Sequence, residues 1–414
     1  MRPALRDLVI VLGVSWIARA VFILAIGDAH SSDVDHWRGA LAAQDEGRNP
    51  YETGVLNWPP LWMMVIVGVD YLSNLVDVGF WSALRVYLVL VESMLVATLY
   101  FTLLSIGAAR PAVRRALLAG IALNPVAILL IGQHGNSDVQ VGLLVTLAIA
   151  ALCAHWRSRD VVLWLCGCLF LGLGVLAKTA PVVLAPVLAP GARLAPRTAK
   201  ALGAALFLGP AALGLGVIAV LVPIAVWDHV IAYRSTRGFF GVAGIFEELL
   251  DTDISWYESA FTLAVLVVVA WLGHRLWREL PPAPPTLFLL VAVIFMAVVA
   301  FGPGYGAQYA YWFIPALVAT YVLLDDAWRK LLRIAYVIAG LTYAIEYALV
   351  PFLGAWAVAM FGSSEWMVEL AGYLSTPDKW VVFRIPLFAV YLVVIAAGIG
   401  RLARPDAAER PTPP

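Results

Sequence analysis

The strongest constraint on this chain is a series of apolar runs, most of them close to 20 residues long, that recurs almost from end to end. A transmembrane helix needs about 20 largely apolar residues, within a range of about 17–25. Such runs lie at 8–27, 84–106, 116–131, 138–156, 161–177, 201–226, 259–275, 285–302, 308–324, 334–352 and 381–402, with a shorter one at 180–190. Of the 414 residues, 62 % are hydrophobic and 13 % charged, whereas a soluble domain carries about 25 % charged residues. The bilayer must therefore be the solvent. The expected fold is all-α and polytopic, with about 11–13 transmembrane helices.

Sidedness follows from the basic residues, which favour the cytoplasmic ends of spans. The segment 59–77 opens on Pro59-Pro60 and carries Asp70, Asn74 and Asp77. If it does not span, then Arg2/Arg6, Arg110/Arg114/Arg115, Arg157/Arg159, Arg193/Arg197/Lys200, Arg275/Arg278, Arg329/Lys330/Arg333 and Arg401/Arg404 all fall on the cytoplasmic side. The first run is then an uncleaved helix, too long for a signal peptide. The polar segments 28–58, 133–138, 178–181, 227–258, 302–308 and about 355–380 fall together on the outer face. Two of these, after the first and seventh helices, exceed the usual loop length of about 12–15 residues, as functional loops do. The Pro-rich stretch at 281–285 divides an N-terminal module (1–280) from a C-terminal one (281–402), and 403–414 has the composition of a disordered tail. The zero net charge gives no reason to expect nucleic acid as a partner. Cys153, Cys166 and Cys168 lie in apolar runs and read as small core residues.

Five outer segments carry residues suited to chemistry. The first contains Asp33-Val34-Asp35; either carboxylate can take a proton from an acceptor hydroxyl, or it can cap the following helix. The same loop continues Gly47-Arg48-Asn49-Pro50-Tyr51 and then Trp58-Pro59-Pro60-Leu61, where Tyr51 and Trp58 can stack on a sugar or anchor at the headgroups. Between the third and fourth helices stands Gln133-His134-Gly135-Asn136-Ser137-Asp138, either a pocket wall or a tight hairpin whose Asp138 caps the next helix. Lys178, in Lys178-Thr179-Ala180-Pro181, would cost about 2.5–3.5 kcal/mol facing hydrocarbon, so it snorkels or meets an anion. Arg234 and Arg237, and Arg384 near the outer end of the last helix, run against the charge bias and suit a lipid phosphate in the same way. Finally, a Gly-rich turn leads into Gln308-Tyr309-Ala310-Tyr311-Trp312-Phe313-Ile314-Pro315, a pocket-lining turn or an aromatic girdle.

Taken in order, Asp33-x-Asp35, Gly47-x-x-Pro50-Tyr51, Trp58-Pro59-Pro60-Leu61, His134-Gly135-Asn136-Ser137-Asp138, Lys178-x-x-Pro181 and Gln308-Tyr309-x-x-Trp312 resemble the motifs of the GT-C superfamily of membrane glycosyltransferases. The likeness is greatest to the dolichol-phosphate-mannose-dependent mannosyltransferase of GPI-anchor assembly and its bacterial polyprenyl-phosphate-sugar relatives. It covers about residues 28–315; His134 stands where the eukaryotic pattern has Arg, and Trp58 where it often has Tyr. The resemblance implies a GT-C-like bundle and inverting transfer of a sugar, mannose first, from a polyprenyl-phosphate donor to a lipid, glycan or protein acceptor at the outer face of the plasma membrane. Asp33 or Asp35 would be the general base. Lys178, Arg234, Arg237, Arg384 and His134 would hold the donor phosphate. Tyr51, Trp58, Asn136, Asp138, Gln308, Tyr309 and Trp312 would line the substrate site. No cofactor is implied; the paired aspartates could hold a divalent cation, though the family commonly works without one. The competing reading is a transporter or flippase of a lipid-linked or small polar substrate, which would place charges near the membrane midplane and break helices in paired positions.

Overall fold

The computed structural model describes residues 3–28, 30–53, 56–221, 230, 236–237, 241–278, 283–345 and 377–403. Among the described residues, sixteen α-helices follow one another: α1 (Pro3–Ile26), α2 (Ser32–Asp45), α3 (Pro60–Leu75), α4 (Phe80–Ser105), α5 (Arg110–Leu117), α6 (Pro125–Leu129), α7 (Asp138–Ser158), α8 (Val161–Ala177), α9 (Ala189–Leu194), α10 (Arg197–Leu221), α11 (Gly241–Gly244), α12 (Ser255–Arg278), α13 (Pro284–Phe301), α14 (Ile314–Leu323), α15 (Asp326–Ala344) and α16 (Pro377–Ala403). Among the described residues, the only strands are the two-residue pair in which Thr236 and Arg237 face Tyr305 and Gly304. Proline lies in the first turn of α3, α5, α6, α13 and α14, where its missing N–H costs no helical bond. Asn124, Asp160 and Asp325 accept from the backbone N–H groups of Val126, Val162 and Trp328 and so cap α6, α8 and α15.

Seven of these helices are long and apolar enough to cross a membrane, and an eighth crossing arises if the bent pair Arg110–Ala122 and Pro125–His134 counts as one. The protein is an all-α polytopic membrane protein. Large apolar side chains face outward, Leu24 and Val220 among the most exposed, as a hydrocarbon environment requires. α7 and α13 form the buried centre; α10 and α12 lie at the periphery. α7 packs on α8 and α4, α8 on α10, and α13 on α14 and α16. One hydrophobic core runs from Leu8 to Ile395.

Prolines divide several apolar runs. The run 180–190 is a 3-10 helix over Ala180–Leu188, with Pro186 inside it, followed by the short α9. The run 308–324 opens as a 3-10 helix over Ala307–Trp312 before α14. The run 116–131 starts at Arg110 and bends by 47° between Ala122 and Pro125, with π-helical turns at Leu118–Ala122 and Leu130–His134. Helix α3 has 16 residues, short of a full span. The expected tail beyond 403, the segment 355–376 and parts of the 227–258 loop lie outside the described residues.

Candidate functional site

The polar motifs meet where α1, the α6 bend, α8 and α13 end and where α2 and α7 begin. Asp33 sits in the first turn of α2, whose start is fixed by Ser31: its N–H donates to Gln133 O (3.1 Å) and its hydroxyl to His134 O (2.9 Å). These bonds tie the start of α2 to the end of the π-turn. The chain then reverses at Gly135, whose φ of +66° lies in the left-handed region. A side chain here would also run into the Trp81 ring.

This turn brings two donors onto one oxygen of Asp33. His134 Nε2 lies 3.0 Å from Oδ2, and the Asn136 amide donates to the same atom at 2.6 Å. Ser137 Oγ donates to Asn136 Oδ1 (3.0 Å), which orients the amide. Against an ionised Asp33, His134 Nε2 must carry the proton and donate. The second oxygen, Oδ1, makes no hydrogen bond among the described residues, and the side chain keeps 20 % exposure. Burial alone would push the Asp33 carboxyl up. The hydrogen bond and charge of His134, helped by Lys178 and His36, outweigh it and hold the carboxyl below its ordinary value.

A second cluster forms beside the first. Asp138, fully buried at the start of α7, accepts from Lys178 Nζ (2.8 Å) and from the Trp312 indole N–H (2.5 Å). Lys178 Nζ also lies 4.3 Å from the Tyr309 ring centre and 5.2 Å from that of Trp312, and those two rings stack 4.4 Å apart. An ammonium has three donors. Only the bond to Asp138 uses one among the described residues, so two N–H groups face the cation–π wall and the 15 % of the side chain left open. Gln308 lies half-buried on the same 3-10 turn, with Oε1 buried and lacking a donor among the described residues. A buried acceptor of that kind suits a ligand hydroxyl.

The structure thus brings Asp33, His134 and Asn136 together, and joins Asp138, Lys178, Tyr309 and Trp312 in a second group. It parts Asp35 from Asp33. Asp35 does not share a site with Asp33, because residues two apart on a helix do not face each other. Asp35 is 62 % exposed and pairs with His30 Nε2 (2.9 Å) and Arg38 (3.9 Å). Neither aspartate caps α2, whose N-cap is Ser31, and Asp138 is the first residue of α7 rather than its cap. Tyr51 donates to Trp58 O (3.0 Å), and Trp37 packs edge-on against both Trp58 and Trp62. Both Tyr51 and Trp58 are buried, so they brace the loop. The Arg237 backbone pairs with Gly304 just before the 3-10 turn, Arg384 is buried in α16, and Arg234 lies outside the described residues.

Sequence reasoning missed a third cluster. Arg19 of α1 and Glu92 of α4, each 1 % exposed, form an ion pair of 2.6 Å inside the apolar spans. Each was legible as a single charge within an apolar run, where charges are costly and need partners. Arg85, which donates to Gly132 O (2.9 Å) and covers the Trp81 ring, was legible in the same way.

The fold and its clusters define a polytopic membrane protein in which two aspartates, a histidine and a lysine gather at helix ends. No protein-family model matches the chain, and no curated protein matches it either.

Proposed function

We propose that this protein is a membrane glycosyltransferase that moves a sugar, mannose first, from a polyprenyl-phosphate donor to an acceptor hydroxyl with inversion. The observation that carries the reading is the convergence around Asp33. One carboxylate oxygen is pinned by His134 and Asn136, the other lacks a hydrogen bond among the described residues, and a lysine stands close enough to act on its charge. Asp33 Oδ1 takes the proton of the acceptor hydroxyl. The acceptor oxygen then bonds the anomeric carbon on the face opposite the phosphate as the bond to phosphate breaks, and the polyprenyl phosphate leaves with the electron pair. The two unengaged N–H groups of Lys178 suit its developing charge. Arg237 and Arg384 are further candidates for the phosphate, and Gln308 for a sugar hydroxyl. The ordered likeness to GT-C motifs supports the same reading and favours an extracytoplasmic site in the plasma membrane.

The rival reading, a transporter of a lipid-linked or small polar substrate, draws on the Arg19–Glu92 pair and the 47° bend. The test is a choice of donor: purified protein in lipid is offered polyprenyl-phosphate mannose or GDP-mannose, with a membrane lipid extract as acceptor pool. Transfer from the lipid donor alone supports the proposal. Absence of transfer from any polyprenyl-phosphate sugar, with movement of the donor across sealed vesicles, favours the rival.

A further inference from the structure

The Arg19–Glu92 pair makes more bonds than an ion pair needs, and they run in two directions. Arg19 also donates to the backbone carbonyls of Ile121 (3.1 Å) and Ala122. These carbonyls lie where the helix breaks before Pro125: proline has no N–H to offer Ile121 O, which also takes that of Asn124 (3.2 Å), and the Val126 N–H donates to Asn124 Oδ1 instead. The half-helix beyond the break runs only ten residues, Pro125–His134, and ends on the histidine that holds Asp33. In the other direction, Tyr311 donates its hydroxyl to Glu92 Oε1 (3.2 Å). Tyr311 belongs to the 3-10 turn Ala307–Trp312, whose Tyr309 and Trp312 form the wall around Lys178 and Asp138. Ser15 completes the set by donating to Glu92 Oε2 (2.9 Å).

Glu92 is therefore bonded on one oxygen to both walls of the site: through Arg19 to the bend that aims His134, and through Tyr311 to the turn that aims Trp312. A carboxylate that only neutralised Arg19 would have no need of Tyr311, and a tyrosine that only filled space would not bring its hydroxyl to a fully buried charge. We infer that Glu92, with Arg19 and Tyr311, is a positioning residue that fixes the separation between the Asp33–His134 wall and the Asp138–Lys178–Trp312 wall. As a statement about catalysis this rests on the glycosyl-transfer reading; as a statement about geometry it does not.

Tyr311→Phe removes one hydroxyl and keeps the ring, so it breaks the link without emptying the core. Protein labelled with 15N in its indoles, reconstituted in nanodiscs, reports the Trp312 N–H bonded to Asp138, identified by its loss in Trp312→Phe. The expected result is a shifted or broadened Trp312 resonance in both Tyr311→Phe and Glu92→Gln. Tyr100→Phe, which removes a tyrosine bond to Ala4 O (3.0 Å) at a remote position, leaves it in place. In the transfer assay, Tyr311→Phe lowers kcat by about 10- to 100-fold with KM within about twofold, as misplaced reacting groups do. An unmoved Trp312 resonance in folded Tyr311→Phe overturns the inference whether or not the protein transfers sugar. A moved resonance with no transfer by the wild type keeps the positioning role and sinks the glycosyl-transfer reading.

Discussion

The Asp138–Lys178 pair can be weighed without knowing the reaction. Asp138 is 0 % exposed and Lys178 15 %, so removing either partner strands a charge in a poorly hydrated place. Breaking such a pair costs about 3–5 kcal/mol. The two losses differ in size. After Asp138→Ala, the lysine stem can carry its ammonium toward the open part of the site, which puts that variant near 3 kcal/mol. After Lys178→Met, the carboxylate stays fully buried with only the Trp312 N–H as donor, which puts that loss near 5 kcal/mol. The double variant strands neither charge, and it should lose about 3 kcal/mol less than the sum of the singles. The assay is equilibrium unfolding of all four proteins in mixed micelles titrated with a denaturing detergent. Additivity of the two losses to within about 0.5 kcal/mol would refute the contact, and equal costs for the two singles would refute the asymmetry.

Other outcomes follow from the same geometry. Gly135→Ala should cost about 1–3 kcal/mol in the same unfolding assay, because a Cβ meets Trp81 and φ is left-handed. An unchanged midpoint would mean that the reversal at Gly135 is formed differently. Tyr51→Phe loses one buried hydrogen bond to Trp58 O and should cost about 0.5–1.5 kcal/mol with little effect on rate; a large rate loss at unchanged stability would place Tyr51 in the substrate site. Asp33 is held below its ordinary value mainly by His134, against burial that raises it. A carboxyl depressed on folding contributes stability above its unfolded value of about 3.9 and loses it as pH falls through the lower folded value. In the wild type Asp33 therefore stays ionised throughout the neutral range. In His134→Leu the burial remains and the largest opposing interactions go, so the acid limb of kcat/KM assigned to Asp33 should move upward in pH; a downward move would contradict that assignment.

Much of this arrangement could be read from the sequence because its parts are local interruptions. Six polar or small residues between two apolar runs had to be a turn, and a lone lysine near the end of a run had to find an anion or reach water. The structure supplies Asp138 as that anion, which lay 40 positions away and could not be assigned by spacing. The difference between Asp33 and Asp35 was illegible for a different reason. A pair two residues apart reads as convergent in a loop and as divergent on a helix, and the boundary of α2 at Ser32 decides it. Tyr51 and Trp58 carried an ambiguous signal, since an aromatic that braces a loop and one that stacks on a sugar look alike. Glu92 was visible as a charge in an apolar run, but its links to Arg19, 73 positions away, and Tyr311, 219 away, belong to tertiary packing alone.

The most direct measurement is single-turnover sugar transfer from polyprenyl-phosphate mannose by wild type, Asp33→Asn and Asp35→Asn, with folding of each checked by its unfolding midpoint. Loss by orders of magnitude in Asp33→Asn, with Asp35→Asn within about tenfold of wild type, is the expected result, since Asp33 is held by His134 and Asn136 within reach of the Lys178 charge, whereas Asp35 is 62 % exposed. Transfer that survives in folded Asp33→Asn, or that fails in Asp35→Asn instead, would contradict the assignment of the base.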